Sequence, residues 1–579
     1  MQLPLPIRSL ADDEVFDLVV IGAGGAGMSA AVYGAAEGAR VLLIESTDKL
    51  GGTTAFSAGT TWIPGTHLAP GVNPDDNLDN AARFLDAAVG DLSDRSLRGA
   101  FLANGAAAVA RIEAVSHLKY RARPVHPDYL SELPGSTVCG RALEPLPFDG
   151  RQLGPLFDLV RPPIPEFTVL AGMMVDRDDI GHLLQWNRKL ASLSYSTRII
   201  LRHLLDRVAH PRGTRLLMGN ALIGRLLLSL KELQVAVMTR TQVTALGQGP
   251  SGVDSVSFEQ DGQCRTVRTR GGVILATGGF NRHPTLRAQR LPGVDDTWCP
   301  GAPGHTGRLH DLVAPLGAHY GTTGQSDCFW APVSLRKRVD GSTAAFPHFV
   351  FDRAKPHMLT VDSSGQRFLN ESTSYHLFGQ AMQRAHQQRP AIPAYLITDA
   401  NGLQKYGLGQ VRPGGMGLAS ALEDGYVTRG HSLPDLAKKL GLPADALVAT
   451  VQRYNSHAST GTDPDFNRGS TTYQRANGDI NWPGPNPSLG TVDAAPFYAV
   501  KLYPGDIGAA TGLAADAQAR VLDSQGQPIG GLYACGNDMH SVMGGVYPGP
   551  GITIGPGLVF AYLAARHAAA RAHTAPQPA

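Results

Sequence analysis

The sequence predicts an α/β fold in which a parallel-sheet domain, split between the two ends of the chain, carries a mixed α+β domain between its pieces. Three stretches predict it. The run FDLVVIGAGGAGMSAAVYGAAEGARVLLIES (16–46) reads as a buried strand, a glycine-rich turn, an alanine-rich helix and a second buried strand. A further strand lies in GGVILATGGFNRH (271–283), and GLYACGND (531–538) supplies another only near the C-terminus. Strands alternating with helices in this way build a parallel sheet.

Within the first stretch each residue type has a physical task. Leu18 to Ile21 forms the strand, and Gly22 permits the tight turn at its end. Gly24 lets backbone N–H groups reach a pyrophosphate, Gly25 belongs to the same turn, and Gly27 lets helix and strand pack closely. The helix N-terminus adds partial positive charge for the phosphates. Glu45 ends the second strand where a carboxylate takes a ribose hydroxyl. Together these make a Rossmann-like dinucleotide site, with nicotinamide and flavin both open at this point. The following ESTDKLGGTTAFSAG (45–59) places Ser46, Gly51, Gly52, Thr53 and Ser57 beside it, and the later strands end in Ala276-Thr277-Gly278 and Gly536-Asn537.

The dinucleotide domain is expected from residues 1–281 and 506–579, and the catalytic or substrate domain from 282–505. A helical insertion is expected at about 150–232. It is broken at Pro211-Arg212-Gly213 and is basic, with Arg202, Arg207, Arg212, Arg215, Arg225 and Lys231 against Asp206. A basic amphipathic helix can rest weakly on a membrane surface; the preferred expectation is a solvated helix covering the mouth of the site. The tail TAPQPA is expected to fray.

Composition narrows the function classes. A net charge of +2 with mixed signs implies no nucleic-acid partner. Five cysteines without a CxxC argue against a disulfide framework, and no cluster has metal-ligand spacing, so no metal is expected. No apolar run reaches membrane-spanning length, and no secretory h-region precedes the first strand, which makes a cytoplasmic location the default expectation.

The dinucleotide motif, GGTTAFSAG, the strand ending ATGG and the return strand GLYACGND together resemble the FAD flavoproteins of the fumarate reductase and 3-ketosteroid dehydrogenase superfamily. The resemblance implies FAD. A flavin-linking histidine would fall in GGTTAFSAG, which has none, so the FAD is expected to be non-covalent. Three further stretches resemble 3-ketosteroid Δ1-dehydrogenases: DYLSELPGSTVCGRALEPLPFD (128–149), VDSSGQRFLNESTSYHLFGQAM (361–382) and GNDMHSVMGGVYPGPGITIGP (536–556).

The resemblance implies desaturation beside a ketone. Tyr547 and the Gly551 N–H would hold the carbonyl oxygen, Tyr375 would take the α proton, and Tyr129 would support Tyr375. Gly551 and Ile552 would also touch the flavin. Phe329 and Trp330, in SDCFWAPVS, are expected to line a cavity for a small, apolar, steroid-like ketone, with an external acceptor reoxidising the flavin.

Two other readings stand beside this one. A fumarate- or urocanate-type reductase would need cationic clamps, yet no arginine lies between Tyr547 and Arg566. A non-catalytic flavin carrier would not need the tyrosines. His305 lies in PGHTGRLHD, where the superfamily reads Thr-Gly-Asp-Gly; Arg308, Leu309 and His310 stand there instead, which leaves the local contacts open, and the lone histidines His376 and His540 are expected to be structural.

Overall fold

The structure is a computed structural model that describes residues 3–350 and 352–574. The expected frayed end, from 575 onward, lies outside the described residues. Strand β1 (Glu14–Ile21) is an apolar run whose residues Leu18, Val19 and Val20 are fully buried, as a strand covered on both faces must be. Helix α1 (Gly25–Ala36) and strand β2 (Val41–Ile44) follow, and β2 pairs in parallel with β1.

On its other edge β1 pairs in parallel with Gln263–Leu275, and that strand pairs in parallel with Pro528–Ala534. The strand Ala236–Met238 extends the sheet beyond β2. Ile21 stands opposite both Ile44 and Leu275, and Leu275 opposite Ala534, so four strands end on one edge. The chain leaves β1 toward one side and returns on the other, making this edge the crevice where doubly wound sheets bind ligands. The C-terminal helix Ile554–Thr574 packs on α1 through small residues: a Cβ on Gly557 would lie 3.5 Å from the Ala26 methyl.

A second sheet is centred on the long strand Phe497–Ala509, which runs antiparallel to Ala394–Thr398 and to Cys328–Lys337. Helix Tyr375–His386 packs against Cys328–Lys337. Phe497–Ala509 passes through positions 505 and 506, so one strand serves this sheet and also delivers Asp506 to Asn281, in the segment after Gly279. The insertion forms helices Arg177–Leu183, Leu190–Ala209 and Met218–Glu232, the last of them buried against α1. Among the described residues no helix is long and apolar enough to cross a membrane.

Asp506 is fully buried; its carboxylate accepts from both terminal nitrogens of Arg287, at 2.8 and 2.9 Å, and from Asn281 Nδ2 at 2.7 Å. Removing one partner strands a buried guanidinium. Asp506→Ala should therefore lower unfolding stability by about 3–5 kcal/mol in a denaturant titration; a loss below about 1 kcal/mol, the worth of a surface pair, would show the junction to be held elsewhere.

Candidate active site

The glycines at the sheet edge separate by task. A Cβ on Gly22 would lie 2.3 Å from the Ala276 carbonyl oxygen, and one on Gly27 only 1.8 Å from that of Gly22, so both are forced by packing. Gly24 would meet nothing within 4 Å. Its bareness leaves backbone open to the cavity, as close approach by a ligand requires. The Glu45 carboxylate accepts from Ala23 N (3.0 Å), Thr47 N (2.9 Å) and Thr47 Oγ1 (2.7 Å), which fixes it beside the turn.

Asp538 anchors the opposite wall. It accepts from the Thr277 N–H, from Thr277 Oγ1 (2.9 Å) and from Gly279 N (3.0 Å), and it pairs with His310 Nε2 at 2.9 Å. Burial alone would raise its pKa, but these bonds hold it below the ordinary value. Through Asp538, His310 thus helps to hold the ATGG turn.

These walls belong to one cavity of about 2520 Å³, several times the usual 300–1,000 Å³ of a single ligand pocket. It is lined by Gly22, Gly24, Gly25, Glu45, Ser46, Gly52, Thr53, Ser57, Ala276, Thr277, Gly278, Gly536, Asn537 and Gly551, and by Tyr129, Tyr375, Tyr547 and Phe329. Gly27 and Gly51 sit behind it as packing positions. Ile552 is buried beside Phe329 and Asn537 in a small adjoining hollow.

Trp330 does not line the cavity. Successive side chains of a strand point to opposite faces. Phe329 meets Tyr547 edge-on at 5.1 Å, whereas Trp330 is buried with Phe280 and Cys328, its indole N–H donating to Ser326 Oγ at 2.7 Å.

Two cavity residues carry no cofactor role in the sequence reading, Arg161 and His305. Arg161 is buried and donates to Thr47 Oγ1 at 2.7 Å, while its Nε finds no partner among the described residues. His305 Nε2 lies 3.1 Å from Thr53 Oγ1 and its Nδ1 is likewise unpartnered; burial, reinforced by Arg282, pushes its pKa down to about 4. Bare backbone at Gly24, the N-terminus of α1 and these orphaned nitrogens all suit an anionic dinucleotide.

The three tyrosines converge at the other end of the cavity. Tyr129 Oη donates to Tyr375 Oη at 3.2 Å. The Tyr547 ring stacks on Tyr129 at 5.6 Å and meets Tyr375 edge-on at 5.1 Å. Tyr129 N donates to Pro548 O at 2.8 Å, tying the two loops together. Ser374 caps the helix that begins with Tyr375, fixing where that phenol leaves the backbone. The Gly551 carbonyl accepts from Trp62 N at 3.1 Å, while the Gly551 N–H donates to no protein acceptor among the described residues.

Phe349 and Tyr473 close the group, 5.1 Å from Tyr375 and 4.8 Å from Tyr129. Burial raises all the phenols: Tyr375 and Tyr129 well above the ordinary value, Tyr473 up to about 12. One cation opposes this for Tyr129 and Tyr473. Arg353 is fully buried, forms no ion pair among the described residues and donates to Thr373 O at 2.7 Å and His348 O at 2.9 Å. His376 accepts from Trp330 N at 3.2 Å and is pushed down to about 3 by burial, a structural role.

Comparison with known proteins bears directly on this arrangement. The FAD binding domain family model matches residues 17–554. A 3-oxosteroid 1-dehydrogenase of Mycolicibacterium smegmatis is 35% identical over 96% of this chain and 98% of its own. The chain belongs to the 3-ketosteroid Δ1-dehydrogenase family. A 4-oxocyclohex-2-ene-1-carboxylate 5-dehydrogenase of Sinomonas cyclohexanicum is 34% identical, covering 96% and 93% of the two chains. The crystal structure of a 3-ketosteroid Δ1-dehydrogenase from Sterolibacterium denitrificans, in complex with 1,4-androstadiene-3,17-dione, superposes with a TM-score of 0.89 at 32% identity, over 96% of this chain and all of that one. Like other members of the 3-ketosteroid Δ1-dehydrogenase family, this protein is an FAD-dependent oxidoreductase acting on CH–CH bonds.

A Cβ on Gly551 would lie 2.3 Å from the Thr60 carbonyl oxygen, and its φ of +94° already excludes most side chains. Gly551→Ala must displace the turn and its free N–H. Turnover should fall by about a hundredfold or more, the worth of one oxyanion donor, with FAD retained; unchanged turnover would mean that this amide is not used.

Proposed function

We propose that the protein removes two hydrogens from the α and β carbons of a neutral, steroid-sized ketone. The observation that carries this is the convergence of Tyr375, Tyr129 and Tyr547 with an unpaired Gly551 N–H on one cavity wall. An α proton becomes acidic only as the carbonyl oxygen takes on enolate charge, so donors must be aimed at that oxygen. Tyr547 Oη and Gly551 N are those donors. Tyr375 takes the α proton, and Tyr129, hydrogen-bonded to it, passes the proton outward. FAD, when bound, accepts the hydride from the β carbon.

The cofactor would be held by the Gly22–Gly27 turn, Glu45, Ser46, Gly52, Thr53, Ser57, Ala276–Gly278 and Gly536–Asn537, with Arg161 and His305 added from the structure. An external acceptor then reoxidises it. A steroid-sized substrate accords with a cavity far larger than one ligand needs and with apolar walls at Phe167, Phe329, Phe346 and Phe349. An unsaturated-acid reductase would place cations beside the reacting atoms; the rings packed on Tyr375 and Tyr547 are those of Tyr129, Phe329, Phe349 and His376.

With no histidine in GGTTAFSAG, the FAD is non-covalent in this reading, and acid precipitation should release all of the yellow colour into the supernatant. Colour left in the pellet would sink that part of the reading.

Tyr547→Phe and Tyr375→Phe should both keep FAD and each lose roughly a hundredfold to a thousandfold in rate. They should differ in binding: Tyr547→Phe weakens a ketone analogue, and Tyr375→Phe does not. Exchange of the α hydrogen with deuterated solvent, followed with a substrate that cannot lose the hydride, should stop in Tyr375→Phe. Because burial keeps the Tyr375 phenol protonated at neutral pH, the wild-type exchange rate should rise with pH through the alkaline range. Normal exchange in Tyr375→Phe would show that another group is the base.

A further inference from the structure

Arg353 is fully buried, and the carboxylates beside it serve other groups. Asp352 accepts from His348 Nδ1 at 2.6 Å and from Gly409 N at 3.0 Å, and its other oxygen takes only the Arg353 backbone N–H, at 2.7 Å. Glu371 is shared by Arg367, at 2.7 and 2.9 Å, and Arg468, at 3.1 Å. The Arg353 guanidinium is left with backbone carbonyls. Its Nε donates to His348 O at 2.9 Å, and its Nη1 to Glu371 O and Thr373 O at 2.5 and 2.7 Å. Its Nη2 donates to nothing among the described residues. Burying a cation without a counter-ion is unfavourable, and charges held at such a cost gather at functional sites.

Those carbonyls also place the cation. Glu371 and Thr373 lead into helix Tyr375–His386, and Arg353 Cζ lies 5.1 Å from the ring centroid of Phe378 in its first turn. A helix N-terminus is itself positive, so a cation there is unfavourable until an anion joins it. His348 is followed by Phe349, whose ring meets that of Tyr375 at 5.1 Å. On the other side the Arg353 carbonyl accepts from Arg468 Nη2 at 3.2 Å, just before helix Thr472–Asn477, whose Tyr473 packs on Tyr129. Arg353 thus stands between the segments that carry Tyr375, Phe349 and Tyr473, and it is the cation that acts on the Tyr129 and Tyr473 phenols. The other titratable groups against the Tyr375–Tyr129 pair are Tyr473 and Tyr547. Asp128, next to Tyr129 in the chain, is taken by Arg141 at 2.9 Å, and burial keeps His376 neutral.

We propose that Arg353 is a positioning residue for the desaturation: acting through Tyr129, it stabilises the negative charge that the Tyr375–Tyr129 pair carries before Tyr375 takes the α proton. This rests on the proposed function. The pair first loses one proton to water by way of Tyr129, which leaves it one negative charge; the α proton then returns it to neutrality. Arg353 lies off the cavity lining and changes only the stability of the charged state.

The pH profile of α-hydrogen exchange tests this, on the FAD-loaded protein with a ketone that cannot lose its hydride. Arg353→Gln keeps a side-chain donor for the carbonyls and removes the charge, whereas Arg353→Lys keeps the charge and loses the fork. In Arg353→Gln the alkaline rise in rate should move to higher pH, and the rate at neutral pH should fall by at least about tenfold. Arg353→Lys should hold the rise near its wild-type place and recover most of that loss. Tyr129→Phe leaves Arg353 and its carbonyls untouched; it should also move the rise to higher pH, since the charge is then confined to Tyr375. Retained FAD shows each variant folded. A rise that stays in place in Arg353→Gln, or that moves as far in Arg353→Lys, overturns the role and leaves Arg353 to packing. A rise that stays in place in Tyr129→Phe overturns it too, whether or not the Arg353 variants take up FAD. Wild-type protein that exchanges the α hydrogen of no ketone withdraws the desaturase reading and this role together; a failure confined to the variants leaves that reading standing.

Discussion

The active site depends on one long-range pairing, the parallel alignment of Pro528–Ala534 with Gln263–Leu275. It brings the last strand of the chain into the sheet that begins with β1 and ends it level with Leu275. Whatever follows Ala534 must cross the edge where β1 and α1 meet before the chain can descend in the helix Ile554–Thr574. The segment 536–553 is therefore threaded between established walls. A Cβ on Gly545 would lie 2.4 Å from Ser326 O, and one on Gly555 2.1 Å from Trp62 O. The glycine and proline content of this stretch is a consequence of that confinement. The confinement in turn aims Tyr547 and the Gly551 amide without any helix or strand to hold them.

A second constraint fixes the facing wall. Arg141, 1% exposed, donates to Asp128 Oδ2 at 2.9 Å and to both oxygens of Asp76, at 2.8 and 2.6 Å. Trp62 Nε1 donates to the other Asp128 oxygen at 2.8 Å, and Trp62 N to the Gly551 carbonyl. One tryptophan thus joins the loop bearing Tyr129 to the loop bearing Tyr547. Burial pushes the Asp128 carboxyl up to about 6 in spite of Arg141. A charge kept at that cost is weak evidence for stability, and its value here is register: the network sets where Tyr129 stands relative to Tyr375.

The cofactor edge was legible because its demands are local. Turn, helix start and strand end fall within thirty residues, and Gly22, Gly24, Gly27 and Glu45 occupy them in order. The tyrosines are 246 and 172 residues apart in sequence, and only the resemblance placed them together. Residues whose role depends on a remote partner stayed hidden. Arg161 reaches Thr47 and Lys49 across more than a hundred residues, and Tyr473 reaches Tyr129 from the distant helix Thr472–Asn477. Trp330 was misjudged for a local reason, since adjacent positions on a strand cannot share a face. The insertion helix Leu190–Ala209 is read by its charges in the sequence, which do not say which face is covered; Ser192, His203 and Asp206 turn inward onto His182, the Leu170 carbonyl and Thr214.

The proposed roles ask opposite things of chemically identical side chains. Tyr547 must keep its proton to donate to the carbonyl oxygen, and Tyr375 must accept one. Burial raises both phenols, which suits the donor and opposes the base. What separates them is the surroundings. Tyr547 adjoins Phe329 and Thr553, with no cation among the causes of its shift. Tyr375 is bonded to Tyr129, and Tyr129 and its neighbour Tyr473 feel the buried Arg353. Tyr375 can accept a proton only as its own leaves it, and the negative charge this puts on the pair is best stabilised on Tyr129, on the Arg353 side. Unlike environments around like groups are how one fold assigns acid and base. In this reading Tyr129 is the partner that holds Tyr375 in place and takes its proton onward, across a hydroxyl separation of 3.2 Å.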